Sequence, residues 1–378
     1  MSQQIDHVNV WLDNVGVECS QSENTKIGYR KNFKKFCEFI GKKPSEIIKD
    51  YEEAENEQKL RRHYGMLLRA WISHLNKTGR YTPSSIATFA ASVKSFFAHF
   101  DLLLPNIKSG RRIVVYGNRD ITREEVLSIV RAAKYPRDRA FFCVMAQSGL
   151  RPNELCNLKA KNIEHLLDFD VEKKSYIIWI PQLIAKGKYK EFFTFIPHES
   201  MVYLRSYLKT RKNVNEESHV FAMLNNDLKP AATASMTHLF RRVVDKLKQS
   251  GEIEFERRVG KPSQVRLYNL RKFFRKFASQ AGSDFVNFWM GHVSGVDLGH
   301  YFSRDVEMHR QVYEEKAIPF LRLETKTPSE TEKQIDVLSE QLKNKDEVIE
   351  TMKKRLDDLE KAMNDALLLR NQKPKEEK

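Results

Sequence analysis

Several common sequence signals are missing from this chain of 378 residues. It has no run of 18 or more apolar residues, which predicts that no segment spans a membrane. Its first residues lack the basic-then-apolar pattern of a secretion signal. It also has no glycine-rich phosphate loop, so neither ATP nor another small-molecule cofactor is expected. These absences favour a cytoplasmic protein that needs no bound nucleotide.

Cysteine is scarce, and its positions do not suggest a metal site. None of the four cysteines has a neighbour at the spacing of metal ligands. Each lies among or after apolar residues, which predicts reduced thiols in the core of a cytoplasmic protein. No cluster of histidine, cysteine and carboxylate residues indicates a structural or catalytic metal either. The four residues are Cys19, Cys37, Cys143 and Cys156.

Positive charge is abundant and unevenly placed. The chain has 65 Lys and Arg against 50 Asp and Glu, a net charge of +15. Residues 323–378 contain 12 of the basic and 14 of the acidic residues, so the excess lies in the first 322 residues. A basic excess of this size favours a polyanionic partner such as nucleic acid. Many soluble proteins are basic without such a partner, so charge alone decides little.

Residues 1–105 are predicted to form a helical domain. Apolar groups recur at steps of three and four residues over 25–39, 60–75 and 82–100, as on one face of a helix. Thr82 is a plausible N-cap, since Pro83 follows it at a helix start. The face of the first helix consists of Tyr29, Phe33, Phe36 and Phe39, that of the second of Leu67, Leu68, Trp71, Ile72 and Leu75, and that of the third of Ile86, Phe89, Val93, Phe96, Phe97 and Phe100.

A basic linker at 106–120 is predicted to lead into a second domain at 121–319. Thr122 and Glu125 have the spacing of a capping box, which indicates the start of a helix. The β-rich runs at 176–180 and 192–196 flank a turn of lysine and glycine, which predicts a small antiparallel sheet. The fold class predicted for the whole chain is therefore mainly α with a small antiparallel β-sheet.

The tail differs from the rest of the chain. Residues 320–331 are predicted to be a connector, and residues 332–370 carry apolar groups in a heptad pattern over about five repeats. This pattern favours a coiled coil and self-association. A single amphipathic helix that packs on its own domain is the alternative.

Four short segments carry residues suited to cutting a phosphodiester. Together they supply two guanidiniums, an ammonium, an imidazole and a phenol, which can grip a phosphate, protonate a leaving alkoxide and bond to phosphorus. Arginine suits the grip because its planar fork donates two hydrogen bonds and does not deprotonate. The segments are Gln147 to Leu155 with Arg151, Ala185 to Lys190 with Lys186, Tyr268 to Arg271, and Gly291-His292 followed by Tyr301.

These segments resemble the boxes of the tyrosine recombinase (integrase) family. Ser148 to Leu155 is similar to its first arginine box, Tyr268 to Arg271 to its His-x-x-Arg box, and Gly291-His292 with Tyr301 to its nucleophile box. The resemblance covers about residues 10–317. It implies a helical core-binding domain, an α+β catalytic domain, and no metal or nucleotide cofactor.

The resemblance also implies a role for each residue. Tyr301 is the expected nucleophile, and Arg151 and Arg271 are expected to clamp phosphate oxygens. Lys186 is the expected general acid, with Lys188 as the alternate, and His292 is expected to bind the phosphate or assist a proton transfer. Two further residues complete the set. Glu154 is expected to hold Arg151 in place, and Tyr268 stands where the family has histidine.

The sequence therefore predicts a site-specific recombinase or integrase that cleaves and rejoins double-stranded DNA through a 3′-phosphotyrosine. Protomers are expected to assemble on DNA as a dimer or tetramer, in the cytoplasm and associated with the nucleoid. Two alternatives remain: a type IB topoisomerase-like enzyme, and a catalytically impaired architectural or regulatory protein that binds DNA and oligomerises through its coiled coil.

Overall fold

The computed structural model describes residues 6–18, 23–108, 119–186, 190–223, 226–256, 263–292 and 305–324, with Met352 and Arg355. The chain divides into two compact units, Met1–Gly117 and Asn118–Lys378. Both are mainly helical, and small antiparallel sheets occur in the second, which confirms the predicted fold class. The predicted coiled coil at 332–370 lies outside the described residues, except for Met352 and Arg355, which are helical and exposed.

The first unit consists of helices that enclose an aromatic core. Phe33 stacks on Phe96 with ring centroids 4.0 Å apart, and Trp11 meets both rings edge-on. The described helices are α1 (His7–Glu18), α2 (Glu23–Ile40), α3 (Pro44–Glu52), α4 (Glu57–Lys77) and α5 (Pro83–His99). The three helices predicted here are confirmed, and Thr82 caps α5 by accepting a hydrogen bond from Ser85 N.

One predicted core position and one boundary need correction in this unit. Phe39 continues the apolar pattern of α2, but it is 40% exposed and contacts the His74 ring instead of the core. Ile107, which the prediction places in the linker, is buried in the core of the first unit. The linker therefore begins after this residue, and its residues 109–118 lie outside the described chain.

The second unit begins with a helix whose first turn is held by side-chain hydrogen bonds. Thr122 and Glu125 form the predicted capping box, and Arg119 grips the Glu125 carboxylate at 2.9 and 2.5 Å. The helices that follow are α6 (Arg123–Ala132), α7 (Pro136–Ser148), α8 (Pro152–Asn157), α9 (His198–Leu208), α10 (Thr233–Gln249), α11 (Tyr268–Phe277), α12 (Ser283–Trp289), α13 (Val306–Val312) and α14 (Ile318–Leu321), with a π-helical turn Tyr313–Ala317 between the last two.

Two hairpins accompany these helices. The predicted pair is confirmed as β1 (Ser175–Ile180) and β2 (Phe192–Pro197), antiparallel with Ile178 opposite Thr194. The sequence did not reveal the second pair, β3 (Ala222–Met223) and β4 (Asn226–Pro230), because β3 has only two residues and β4 is mostly polar.

The core of the second unit is built around α7, whose residues from 137 to 148 are all buried except the exposed Arg139. Leu321 and Leu323 are also buried in this core, so the unit extends past the predicted boundary at 319. The thiols of Cys37, Cys143 and Cys156 are free and buried, as predicted, while Cys19 lies outside the described residues.

Candidate active site

Arg151 is held at the start of α8 by a buried carboxylate. Glu154 is 1% exposed, and its Oε1 accepts a hydrogen bond from an Arg151 Nη at 2.6 Å. Its Oε2 accepts from the backbone N–H of Arg151 at 2.8 Å and so satisfies a backbone donor at the start of α8. The same Oε1 lies 3.3 Å from the backbone nitrogen of Lys186. Glu154 therefore orients Arg151, as predicted, and also connects it to the turn that follows β1.

Gly149 sets the path of the chain into Arg151. It ends α7 with φ +68°, a left-handed conformation that glycine adopts without strain. A Cβ at this position would lie 2.7 Å from Cε1 of Phe274, so the ring of α11 packs directly on the glycine. The first arginine segment and α11 approach each other this closely only because the side chain is absent.

Arg271 is fully buried on α11 and donates hydrogen bonds to two other parts of the unit, Gly149 and the segment Met290 to His292. One Nη donates to the carbonyl of Gly149, and the other donates to Met290 O at 2.7 Å and contacts His292 Nε2 at 2.9 Å. Burial and then the nearby charge of Arg151 lower the pKa of Arg271 to about 10, while Glu154 and Tyr268 act in the opposite direction. The guanidinium is therefore still charged at neutral pH.

His292 follows a second glycine that is packed against a ring. Gly291 has φ +59°, and a Cβ there would lie 2.6 Å from Cζ of Phe192 at the start of β2. Burial lowers the pKa of His292 to about 4, and the charges of Arg271 and Arg151 act in the same direction. The imidazole is therefore neutral near pH 7. The carbonyl of Gly291 also accepts a hydrogen bond of 3.4 Å from Arg151.

Lys186 and Tyr268 lie at the exposed edge of this cluster. Lys186 is exposed near the end of the segment that follows β1, and its charge contributes to the low pKa of His292. Tyr268 is the first residue of α11, is 46% exposed, and hydrogen-bonds to Arg271. The alternate lysine, Lys188, lies outside the described residues.

The expected nucleophile, Tyr301, also lies outside the described residues. Its nearest competitor in the sequence, Tyr313, is fully buried, and its hydroxyl donates to Gln147 O at 2.7 Å. Burial raises the pKa of Tyr313 well above its usual range. Tyr313 is therefore a core residue that cannot reach a substrate.

Two polar networks near the site were not apparent from the sequence. Trp289, at the end of α12, donates to His309 Nδ1 on α13 at 3.1 Å, which joins the helices on either side of residues 293–304. Glu199 accepts hydrogen bonds from the Gln147 amide and from Leu323 N and Glu324 N, the latter two at 3.0 and 2.8 Å. No local motif signals these contacts, because their partners are far apart in the chain.

The cluster has the charge and donors to bind a phosphate. Two guanidiniums and a neutral imidazole come from three separate elements, while the one carboxylate, Glu154, is engaged with Arg151. Cationic forks in a partly dry pocket stabilise charge on phosphate oxygens strongly. Among the described residues, no group of three His, Cys, Asp or Glu could hold a metal ion. None of the described helices is long and apolar enough to cross a membrane.

Comparison with known proteins gives concordant results. A model of the phage integrase family matches residues 119–307, half of the chain. The tyrosine recombinase XerC of Rickettsia conorii is 23% identical over 210 residues, which cover 51% of this chain. XerC of Rickettsia prowazekii gives the same identity and coverage. The chain spans 66% of the length of these two relatives.

The fold is shared with proteins of known structure. The Tn1549 transposon integrase, residues 82–397 in complex with circular intermediate DNA, aligns with a TM-score of 0.52. The alignment covers 82% of this chain and 99% of that chain at 16% identity.

Proposed function

Because this chain belongs to the phage integrase family, we propose that it is a site-specific recombinase that cleaves and rejoins double-stranded DNA through a 3′-phosphotyrosine at Tyr301. The observation that carries the proposal is the contact of Arg271 with both Gly149 O and His292, since it joins three of the four sequence segments at one point. The matched family region includes Tyr301.

The two arginines would bind the non-bridging oxygens of the scissile phosphate. Arg151 is partly exposed, with 18% of its side-chain surface accessible, so its fork can meet a ligand. Arg271 is more deeply placed and is held by carbonyls, which fixes its charge before substrate arrives. Such preorganised charge stabilises a pentavalent phosphorus transition state without reorganisation cost during the reaction.

His292 would donate to the phosphate as a neutral group. Its Nε2 faces an Arg271 Nη, which can only donate, so Nε2 is the acceptor and the ring proton is on Nδ1. The remaining N–H can donate to a phosphate oxygen. Tyr268 has a hydroxyl beside Arg271 and would supply a hydrogen bond there instead of acting as a base.

The cleavage step would form the bond from the Tyr301 oxygen to phosphorus and break the bond to the 5′ oxygen. Tyr301 would lose its phenol proton to solvent, and Lys186 would give a proton to the leaving 5′ oxygen, since a lysine among cations can deprotonate and an arginine cannot. The reverse attack by a 5′ hydroxyl would rejoin a strand. The ester conserves the bond energy, so the reaction requires neither metal nor nucleotide.

Assembly is proposed as a dimer or tetramer on DNA, with the heptad region 332–370 contributing to self-association. The basic charge of the first 322 residues supports DNA as the partner. The Tn1549 integrase that shares this fold was solved with DNA.

The test is covalent trapping on DNA. A duplex selected by the protein from a random-sequence pool is nicked near the cleavage position, so that the short 5′ product diffuses away. The wild type is expected to give an adduct resistant to SDS, and Tyr301→Phe none. Tyr313→Phe is the matched control, since its hydroxyl is buried on Gln147 O, and it is expected to retain the adduct.

Other outcomes would select another function. An adduct in Tyr301→Phe equal to that of the wild type rules out Tyr301 as the nucleophile. Relaxation of supercoiled DNA without sequence preference would indicate a topoisomerase-like enzyme. Binding that weakens steeply with salt, without cleavage by the wild type, would indicate an architectural protein.

A further inference from the structure

Asn269 lies between Tyr268 and Arg271 in the sequence, yet its side chain takes part in a different set of contacts. It is fully buried. Its Nδ2 donates to Arg119 O at 2.6 Å and to Gln264 O at 3.3 Å, and its Oδ1 accepts from Arg266 N at 3.1 Å. One amide therefore joins the first turn of α11 to the loop before it and to a residue 150 positions earlier.

Arg119 is itself held firmly, so its carbonyl is a fixed acceptor. Its guanidinium grips Glu125 with two hydrogen bonds, and it donates to Asp120 O at 2.8 Å. Glu125 belongs to the capping box of α6. The second unit begins at Asn118, so the Arg119 carbonyl marks the point where the chain enters that unit.

The residue after Arg119 also contacts α11, near the C-terminal end of that helix. Asp120 forms an ion pair of 3.1 Å with Lys276, but both side chains are more than half exposed. Exposed pairs of this kind contribute little. The buried amide of Asn269 is therefore the stronger of the two attachments.

The position of α11 matters because Arg271 is two residues after Asn269. Its Nη groups meet carbonyls on other elements, Gly149 at the end of α7 and Met290 after α12. A small displacement of the first turn of α11 would lengthen these bonds. An apolar side chain at 269 would also leave buried backbone groups without partners.

We propose that Asn269 is a positioning residue that ties the first turn of α11 to the point where the chain enters the second unit, and thereby aligns Arg271 with the scissile phosphate. The alignment with phosphate rests on the proposed function. The effect on Arg271 itself does not, so the two can be tested separately.

The first test separates DNA binding from cleavage. Asn269→Leu removes the hydrogen bonds at similar size, and Asn269→Ala is the second variant in case leucine prevents folding. Each is expected to bind the selected duplex as the wild type does and to form the adduct about 10- to 100-fold more slowly, as a misplacement of the reacting groups would cause.

Two controls accompany this test. Asn162→Leu removes another buried asparagine, which accepts from Lys159 N at 2.9 Å in the 3₁₀ turn Ala160–Asn162. Asp120→Asn removes the exposed pair with Lys276. Both are expected to cleave at the wild-type rate.

The second test needs no DNA. The imidazole of His292 is titrated by NMR in protein labelled at histidine, with His292→Gln to assign the signal. Burial, and then the charge of Arg271, lower the pKa of His292 to about 4, so a displaced Arg271 is expected to raise that pKa in Asn269→Leu but not in Asn162→Leu.

The adduct assay and the His292 titration together distinguish a failure of the proposed function from a failure of the role proposed for Asn269. If the wild type forms no adduct, the proposed function fails, and the titration still decides the role of Asn269. A wild-type cleavage rate and an unchanged His292 titration in folded Asn269→Leu and Asn269→Ala would overturn the inference. An equal loss in Asn162→Leu would also overturn it, because the effect would then not depend on Arg271.

Discussion

Arg271 donates a hydrogen bond to Nε2 of His292 across 2.9 Å. The donor is charged and buried, so the acceptor must remain neutral for the bond to persist. The site therefore combines fixed positive charge with a neutral imidazole over the physiological pH range.

This relationship predicts a pH dependence of stability. The pKa of His292 is about 4 in the folded protein, below its ordinary value of 6.5, so the unfolded chain takes up a proton first as pH falls. The contribution of His292 to the free energy of unfolding is thus constant above about pH 7 and decreases between 6.5 and 4. Denaturant unfolding of the wild type and His292→Gln at several pH values measures it. As the pH falls, the free energy of unfolding of the wild type is expected to decrease relative to that of His292→Gln. A constant difference would contradict the low pKa of His292.

Lys186 is predicted to act on the leaving group. Lys186→Ala is expected to slow adduct formation by about 10²- to 10⁴-fold on an ordinary phosphodiester, the range of general acid catalysis. A substrate with sulfur in place of the bridging 5′ oxygen should restore the rate, because a thiolate leaves without a proton. Single-turnover rates on both substrates provide the measurement.

The same experiment decides between the two lysines of the turn. If adduct formation is slowed in Lys188→Ala and restored by the sulfur substrate, while Lys186→Ala shows neither effect, the acid is Lys188. Restoration in neither variant would exclude both as the acid.

Gly149→Ala is predicted to destabilise the second unit more than Gly251→Ala. Both glycines have a left-handed φ, +68° and +77°, so each substitution carries a similar backbone strain of roughly 1–2 kcal/mol. Only at Gly149 does the new Cβ meet the ring of Phe274, while nothing lies within 4 Å at Gly251. The additional cost is expected to be about 1–3 kcal/mol, as for an overpacked core. Chemical denaturation measures both, and equal costs would show that Phe274 moves aside.

Glu154→Gln is predicted to weaken the hold on Arg151. The variant loses the charge that the Arg151 fork meets at 2.6 Å, at a cost of about 1.5–3 kcal/mol in unfolding free energy. Adduct formation is expected to slow while DNA affinity changes little, because Arg151 is misplaced but present. Glu217→Gln is the matched control, since Glu217 pairs with Lys159 and Lys161 in solvent. Equal cleavage by both variants would show that Arg151 needs no carboxylate.

The sequence predicts those features that depend on neighbouring residues. Thr82 and Thr122 mark helix starts through contacts three residues away, and the β-branched and aromatic residues over 176–180 indicate a strand without reference to the rest of the chain. The pairing of Arg151 with Glu154 was predictable for the same reason, because its partners lie within one helical turn.

Contacts between distant residues could not be predicted in this way. Arg271 and Gly149 are 122 positions apart, and Arg119, the partner of the buried Asn269, is 150 positions away from it. Phe39 shows that a local pattern can also mislead. It continues the apolar pattern of α2, but its ring contacts His74 and not the core. A repeat indicates which face of a helix is apolar, but not how far along the helix its neighbour extends.

Glu199 is the residue that would resist a pulling force on the tail. Its carboxylate holds the amides of Leu323 and Glu324 and also the side chain of Gln147, the residue just before the first arginine box. Tension applied beyond Glu324 therefore reaches this carboxylate before it reaches Tyr313 or the loop at Gly149. A load on the tail would therefore fall on Glu199 before it could change the spacing of Arg151, Arg271 and His292.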